Sequence, residues 1–299
     1  MDIKNTIRLI ALSAIWGGSF IFMRVIAPVI GPVLTASMRS LIAGVFLIII
    51  FRLTNYKIHW KRDLKPLILI GVVNSSIPFF MYAYAALHIP ASLSAIMNSM
   101  APMFGAVFSA MFLIERLTLR KITGLILGTL GVAIVSSFNV AGDGLTYYYS
   151  IGACIIATIC YGASSVYIKL KASHIEPKAI AAGSQLFAGL ALIPLAVINP
   201  VQFDLDFKLV TMLILFAVIC NALAYLLYYK LLAEVGPTKA LTVTFIIPVF
   251  GIVWGYTLLG EAITLSTVIG GAIIVLGTYL VTSAKVNKTE QAVVKENRA

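Results

Sequence analysis

The chain has 299 residues, of which 61% are hydrophobic and 11% are charged. A soluble domain of this size would need far more polar surface, so the composition excludes an ordinary soluble protein. The net charge of +11 has the sign expected for nucleic-acid binding, and only its distribution along the chain distinguishes that function from a membrane topology.

Apolar segments long enough to cross a bilayer recur along the whole chain. Charged or turn-rich breaks divide them into ten predicted spans, at residues 6–26, 33–52, 66–87, 91–113, 121–138, 147–168, 178–198, 209–230, 237–259 and 265–283. We therefore predict an all-α integral membrane protein with ten transmembrane helices.

The basic residues collect on one side of this predicted topology. With the N-terminus in the cytoplasm, nineteen of the 22 lysines and arginines fall in cytoplasmic loops and tails. Arg24 and Lys208 fall outside, and Arg39 lies within the second span. Basic loops stay on the cytoplasmic side, so the pattern predicts a multi-pass protein of the cell (inner or plasma) membrane with both termini cytoplasmic. No nucleic-acid partner is expected, because the topology accounts for the basicity.

Part of the fourth span is repeated in the ninth at a shift of 146 residues, which aligns Pro102 with Pro248 near the middle of each span. Proline lacks a backbone N–H, so it frees the carbonyl four residues earlier at mid-membrane depth and breaks the helix. The freed carbonyls belong to Asn98 and Thr244. We expect both prolines to face one common cavity.

The repeat extends over both halves of the chain, since the first span matches the sixth at a shift of 145 residues. The predicted units are a first five-helix repeat at 1–138, a connector at 139–146, a second five-helix repeat at 147–284 and a cytoplasmic tail at 285–299. Five is odd, so the second repeat must enter the membrane inverted. Inverted repeats are typical of secondary transporters, which bind their solute at the bilayer midplane between the repeats.

Polar and aromatic side chains within the spans are candidates for that site, because such groups are costly in lipid. On the third span, Asn74, Pro78 and Tyr82 recur every four residues and share one helix face. The predicted substrate-binding residues are Trp16, Ser19, Arg39, Asn74, Tyr82, Asn98, Tyr161, Ser164, Asn221, Tyr225, Tyr228 and Thr244. The competing interpretation is that these side chains hold helices together without contacting a solute.

The charged residues narrow the choice of solute. Arg39 lies about 9 Å into its span, where it can either snorkel outwards as an anchor or bind a carboxylate. None of the eleven acidic residues falls in the middle of a span, which argues against a cationic drug and favours a zwitterionic or neutral compound. If protons are coupled, Glu115 or Glu261 at a span end would carry them, and a structural cap contact is the alternative role.

Three motifs carry a family resemblance. They are Trp16-Gly17-Gly18-Ser19 followed by Arg24, the stretch RSLIAG at 39–44, and the block from Pro102 through Glu115 to Gly124, Gly128 and Gly131. In these motifs the chain resembles the drug/metabolite transporter superfamily, in the branch built from two EamA-like domains. The resemblance implies ten helices, cytoplasmic termini and export of small metabolites such as amino acids, often driven by ion exchange.

Other classes of function lack their motifs. The sequence shows no nucleophile elbow, no metal-binding pair and no phosphate-cradling glycine loop. We therefore predict a secondary active transporter with no enzyme activity, cofactor or metal, whose partners are a small-molecule substrate and the lipid bilayer. Export is favoured over import or exchange, and a homodimer is a possible assembly. An integral-membrane enzyme or a structural membrane protein is the outside alternative.

Overall fold

Ten helices account for most of the described chain. The computed structural model describes residues 2–112, 117–137, 144–235, 240 and 242–283. The helices are α1 (Ile3–Ile30), α2 (Pro32–Leu53), α3 (Trp60–Ala85), α4 (Ala91–Phe112), α5 (Leu119–Ser137), α6 (Gly144–Lys171), α7 (Pro177–Ile198), α8 (207–235), α9 (Val243–Leu259) and α10 (Leu265–Thr282). The predicted all-α class is confirmed, and each predicted span contains one helix.

Eight of the described helices are long and apolar enough to cross a membrane, by length and composition. The described part of α9 is apolar but has only 17 residues. α5 has 19 residues and carries Arg120 and Lys121 in its first turn. α9 is the repeat mate of α4 and α5 is the repeat mate of α10, and both α4 and α10 are among the eight.

Several helices run further than the predicted spans. α1 begins three residues earlier, where the side chain of Asp2 accepts a hydrogen bond of 2.9 Å from the backbone N–H of Asn5. α8 continues to 235, so Glu234 is helical and forms an ion pair with Arg8. Asp63 lies in the first turn of α3 rather than in the preceding loop. Hydropathy marks only the apolar middle of a helix, whereas polar caps extend it into the interface.

α3 and α8, which are repeat mates, each contain a π-helical segment. It covers Val72–Ser76 in α3 and Phe216–Leu223 in α8. A π segment widens the helix and rotates the side chains that follow it, and such segments are frequent at functional sites. Asn74 and Asn221 both lie within them.

The proline-bearing pair behaves differently in the two halves. α4 is interrupted at Ser99 and Met100, whereas α9 runs from Val243 to Leu259 through Pro248 without a break. The predicted break is confirmed for α4. In the ninth span Ala240 is helical and Thr242 is a turn, but 236–239 and 241 lie outside the described residues, so the predicted break of that helix stays a prediction. In α4 the opened turn is held by α10, because the Thr278 hydroxyl donates a hydrogen bond of 2.9 Å to the Ser99 carbonyl.

Close contacts between α2 and α7 show the twofold relation of the repeats. A Cβ added to Gly44 would lie 2.5 Å from the backbone nitrogen of Leu186, and one added to Gly189 would lie 2.7 Å from that of Leu41. At the repeat shift of 145 residues, each of these contacts is the image of the other. The two halves thus pack as inverted repeats, with α2 and α7 crossing at the axis.

The predicted repeat boundaries stay a prediction. Glu115, most of the connector and the tail at 285–299 lie outside the described residues. Residues 144–146 of the predicted connector form the first turn of α6.

Candidate functional site

A cavity of about 250 Å³ lies between the two repeats. Its wall is built by seven helices, α1, α2, α3, α4, α6, α8 and α9. Eleven of the twelve predicted site residues line it, namely Trp16, Ser19, Arg39, Asn74, Tyr82, Asn98, Tyr161, Asn221, Tyr225, Tyr228 and Thr244. The sequence analysis missed the apolar part of the wall, which is Phe20, Met23, Phe79, Ala101, Val243 and Ile247.

Ser164 is the predicted site residue that the structure places elsewhere. It is 1% exposed and its hydroxyl has no hydrogen-bond partner among the described residues, but it does not line the cavity. It stands three residues after Tyr161, so it projects about 4.5 Å further along α6. Its burial there is a matter of helix packing.

The two prolines do not line the cavity either, which corrects the expectation that they face it. In α4 the wall residues are Asn98 and Ala101, four and one positions before Pro102. In α9 Thr244 and Ile247 lie at the same offsets from Pro248, and Val243 also lines the cavity. Both prolines thus occupy equivalent places in the two repeats, next to the cavity rather than on its surface.

Aromatic rings form much of the cavity wall. Trp16 packs against Tyr225 and Tyr228, with ring centroids 6.1 and 5.5 Å apart. Tyr82 stacks on Tyr161 at 6.4 Å. Edge and offset contacts of this kind hold rings in fixed positions, so the wall offers a preformed aromatic surface to a solute.

Tyr82 also takes part in the polar side of the wall. Its hydroxyl donates a hydrogen bond of 3.3 Å to the side-chain oxygen of Asn98, at the interruption of α4. The bond joins α3 to α4 across the cavity wall. It also orients the amide of Asn98, the side chain next to the freed turn.

Arg39 points into the protein, which excludes the first of the two alternatives for it, snorkelling to the outer surface. Its side chain is 3% exposed, and its guanidinium donates a hydrogen bond to the side-chain oxygen of Asn221. The Cζ atom lies 3.8 Å from the ring centre of Phe79 and 4.2 Å from that of Phe216. Attraction between a cation and ring faces offsets part of the cost of removing the charge from water.

A chain of amides extends from Arg39 into the second repeat. The Asn221 side-chain nitrogen donates to the Arg39 carbonyl at 3.3 Å and to the Gln185 side-chain oxygen at 3.2 Å. The Gln185 nitrogen donates in turn to the Ser75 hydroxyl at 3.0 Å. The sequence analysis missed Gln185, although a glutamine inside an apolar span is itself a signal, because its side chain is costly in lipid.

The charge of Arg39 is only partly compensated. Its Nε and Nη1 atoms are buried and have no hydrogen-bond partner among the residues that the structure describes. Among the described residues of the wall, Arg39 is the only charged side chain, and no carboxylate faces it. A buried charge without a counter-ion costs several kcal/mol, so the cavity as a whole is electrostatically suited to an anionic group.

Glu261 lies away from the cavity, at the N-terminus of α4. Its carboxylate accepts hydrogen bonds from the backbone N–H groups of Ala91 and Ser92, at 2.6 and 3.0 Å, and from the Ser92 hydroxyl at 2.6 Å. These are the groups that the first turn of a helix leaves unpaired. The contact is a helix cap made between the two repeats, while its repeat mate Glu115 lies outside the described residues.

Known proteins are similar to this chain in sequence and in fold. An uncharacterized transporter of Archaeoglobus fulgidus is 26% identical over 278 residues, which covers 93% of this chain and 98% of the relative. The uncharacterized inner membrane transporter YedA of Escherichia coli is 27% identical over 287 residues, covering 93% and 90%. A solved crystal structure superimposes with a TM-score of 0.67 at 15% identity, over 93% of this chain and 97% of that one.

The family assignment follows from a match in each half. The sequence model of the EamA-like transporter family matches residues 5–137 and again 149–283. The two matches fall on the two repeats that surround the cavity. This chain therefore belongs to the EamA-like transporter family, within the drug/metabolite transporter superfamily, and is a multi-pass membrane transporter.

Proposed function

We propose that the protein is a secondary active exporter of small metabolites, and that its solutes are amino acids or related zwitterionic or neutral compounds. The observation that carries the proposal is the cavity between the inverted repeats, where aromatic rings, amides and one buried arginine converge. Small amphipathic molecules are bound by walls of this kind, in which a few polar groups orient an apolar body.

Alternating access is the mechanism that the contacts between the repeats support. At one end of the helices, Arg8 pairs with Glu234, and His174 lies 3.4 Å from Asp63. At the other end, Glu261 caps α4. Each of these polar contacts joins one repeat to the other and can be exchanged for water, so rocking of the repeats would open either end in turn.

We propose that both termini lie in the cytoplasm, because basic residues crowd the side of the molecule that carries residues 54–65. Export out of the cytoplasm is the direction of transport that we propose. Import or exchange through the same cavity is the second candidate. The orientation of the chain in the membrane is tested with single cysteines at Asn55 and Gln202, in a chain whose three native cysteines are replaced by alanine. A membrane-impermeant thiol reagent should label the Gln202 position in intact cells, and the Asn55 position only after the cells are opened.

Transport itself is tested with the purified protein in liposomes. Pools of labelled amino acids and of nucleobases are offered with and without a pH gradient, and protein-free liposomes serve as the control. We expect at least one amino acid to move faster than in the control. If no member of any pool moves above the control, with or without the gradient, the proposed function is wrong.

A further inference from the structure

Arg39 carries a charge that nothing described in the cavity wall balances. Its side chain is 3% exposed, and within the described part of the chain only one of its three guanidinium nitrogens has a hydrogen-bond partner. Arginine keeps its proton in proteins, so the site cannot become neutral by titration. The partner that would balance the charge of Arg39 is an anion that enters the cavity.

The guanidinium is held so that such an anion can bind it. Phe79 and Phe216 lie over it, at 3.8 and 4.2 Å from Cζ, and Asn221 fixes the Nη2 group. Rings stacked on a guanidinium leave its in-plane N–H groups to hydrogen-bond partners. The N–H groups of Nε and Nη1 remain, on opposite edges of the guanidinium, and a carboxylate can accept a charge-assisted hydrogen bond from either of them.

We propose that Arg39 binds the carboxylate of the transported solute, which makes the substrates small compounds with one carboxylate, zwitterionic amino acids among them. The inference rests on the proposed transport function and narrows it, because neutral solutes without a carboxylate leave the class. A second carboxylate would find no cation in the described wall. A simple amine would meet the repulsion of the guanidinium.

The remainder of an amino acid also finds suitable groups in the cavity. Its ammonium group can lie against the ring faces of Tyr82 and Tyr161, which attract cations, and can donate to the side-chain oxygen of Asn98. Its apolar side chain can contact the apolar wall. The charges of the guanidinium and the carboxylate then cancel. The ammonium group carries the remaining positive charge of the loaded cavity, and the aromatic faces stabilise it.

Access to Arg39 requires a local movement. Nε and Nη1 are closed off from the open part of the cavity. Phe79 borders the cavity and covers the guanidinium at the same time.

The first test uses the unmodified protein in liposomes. Each amino acid that the pooled screen shows to move is competed with its own primary amide, which keeps the ammonium group and side chain but lacks the carboxylate. Glutamine and glutamate form a second matched pair, which differs in a second carboxylate. We expect amides and glutamate to compete about tenfold or more weakly than the parent acid or glutamine, the loss expected for one charge-assisted hydrogen bond.

The second test uses variants of the arginine. Arg39→Gln should raise the KM for the amino acid about tenfold or more, while Arg39→Lys, which keeps the charge without the fork of donors, should lie between. Arg24→Gln is the matched control. It also removes a positive charge and a hydrogen bond, to the Ala86 carbonyl, but lies outside the wall, so KM should change less than about twofold.

The outcomes separate this inference from the proposed function. If an amino acid moves and its amide competes equally well, or if only nucleobases move, the protein is a transporter and the role of Arg39 is wrong. If nothing moves above protein-free liposomes, the proposed function falls and the inference with it. Should Arg39→Gln fail to fold, the amide competition on the unmodified protein still decides.

Discussion

The side chain of Asn221 accepts a hydrogen bond from the guanidinium of Arg39, which joins α2 of the first repeat to α8 of the second. The same amide donates to Gln185 on α7. Under the repeat shift of 145 residues, Arg39 corresponds to Ser184. The repeats are thus unlike in charge at this position, so under the proposed role of Arg39 a carboxylate meets one guanidinium rather than two.

The stability of the protein should depend on this pair. Asn221→Ala would leave the Arg39 Nη2 group and the Gln185 side-chain oxygen without these partners, and losing a hydrogen bond to a buried charged group costs about 1.5–3 kcal/mol. We expect a clear fall in the thermal unfolding temperature in detergent. Asn199→Ala is the control, because Asn199 is exposed at the end of α7, and it should change the unfolding temperature little.

Asn221→Asp separates stability from binding at the same position. The new carboxylate would pair with Arg39 but would lose the two hydrogen bonds that the Asn221 nitrogen donates, so the protein should unfold at a higher temperature than Asn221→Ala. The internal carboxylate would then occupy the proposed receptor, and amino-acid flux should fall to the level of protein-free liposomes. Retained flux in a stable Asn221→Asp protein would contradict a role for Arg39 in solute binding.

The sequence was enough to predict most of the candidate site, for a physical reason. Polar and aromatic groups are expensive in lipid, so those within spans mark the interior of the bundle, as Asn74, Asn98 and Asn221 do. The apolar part of the wall carries no such signal. Phe79 lines the cavity and covers Arg39, but nothing in the chain distinguishes it from the other phenylalanines that pack between helices.

The direction in which Arg39 points depends on features that hydropathy does not register. Snorkelling and inward binding are both open to an arginine at its depth. The choice follows from the helix crossing that brings Asn221 and Phe216 alongside, and both of these residues lie in the π-helical segment of α8. A local change of helix type of this kind has no periodic signature in the sequence.

Tyr82→Phe tests the hydrogen bond that the Tyr82 hydroxyl donates to Asn98. Tyr82 is 1% exposed, so alanine would open a cavity and unfold part of the protein as well, whereas phenylalanine keeps the ring. We expect a loss of stability of about 1 kcal/mol and a larger loss of flux, because the Asn98 amide is released. Tyr279→Phe, on the exposed side of α10, is the control. Unchanged flux in Tyr82→Phe would restrict Tyr82 to packing.

The glycines of α5 and α10 should be intolerant of a methyl group. A Cβ on Gly124 would lie 2.5 Å from the carbonyl oxygen of Gly277, and one on Gly277 would lie 2.6 Å from that of Gly124. Gly124→Ala would have to separate the two helices, at a cost of about 1–3 kcal/mol. Gly152→Ala on α6 is a matched control, since nothing lies within 4 Å of its Cβ position. It should leave the unfolding temperature unchanged or raise it slightly.

Glu261 has two candidate roles, as the cap of α4 and as a proton-coupling group, and substitutions distinguish them. As the cap of α4, it should be replaceable by glutamine with a smaller loss than by alanine. The N–H groups of Ala91 and Ser92 bond to different carboxylate oxygens, and the one amide oxygen keeps one of these two bonds. Glu261→Ala should lose about 1–2 kcal/mol. Asp204→Ala, in the exposed loop before α8, is the control.

The response of flux to a pH gradient then separates capping from proton coupling at Glu261. If the carboxylate only caps α4, Glu261→Gln keeps whatever response the unmodified protein shows in liposomes, and its flux follows its stability. A carboxylate that exchanges protons behaves differently, because glutamine cannot titrate. Glu261→Gln would then transport at a rate independent of the gradient while unfolding at nearly the same temperature, and that result would assign the coupling site to the α4 cap.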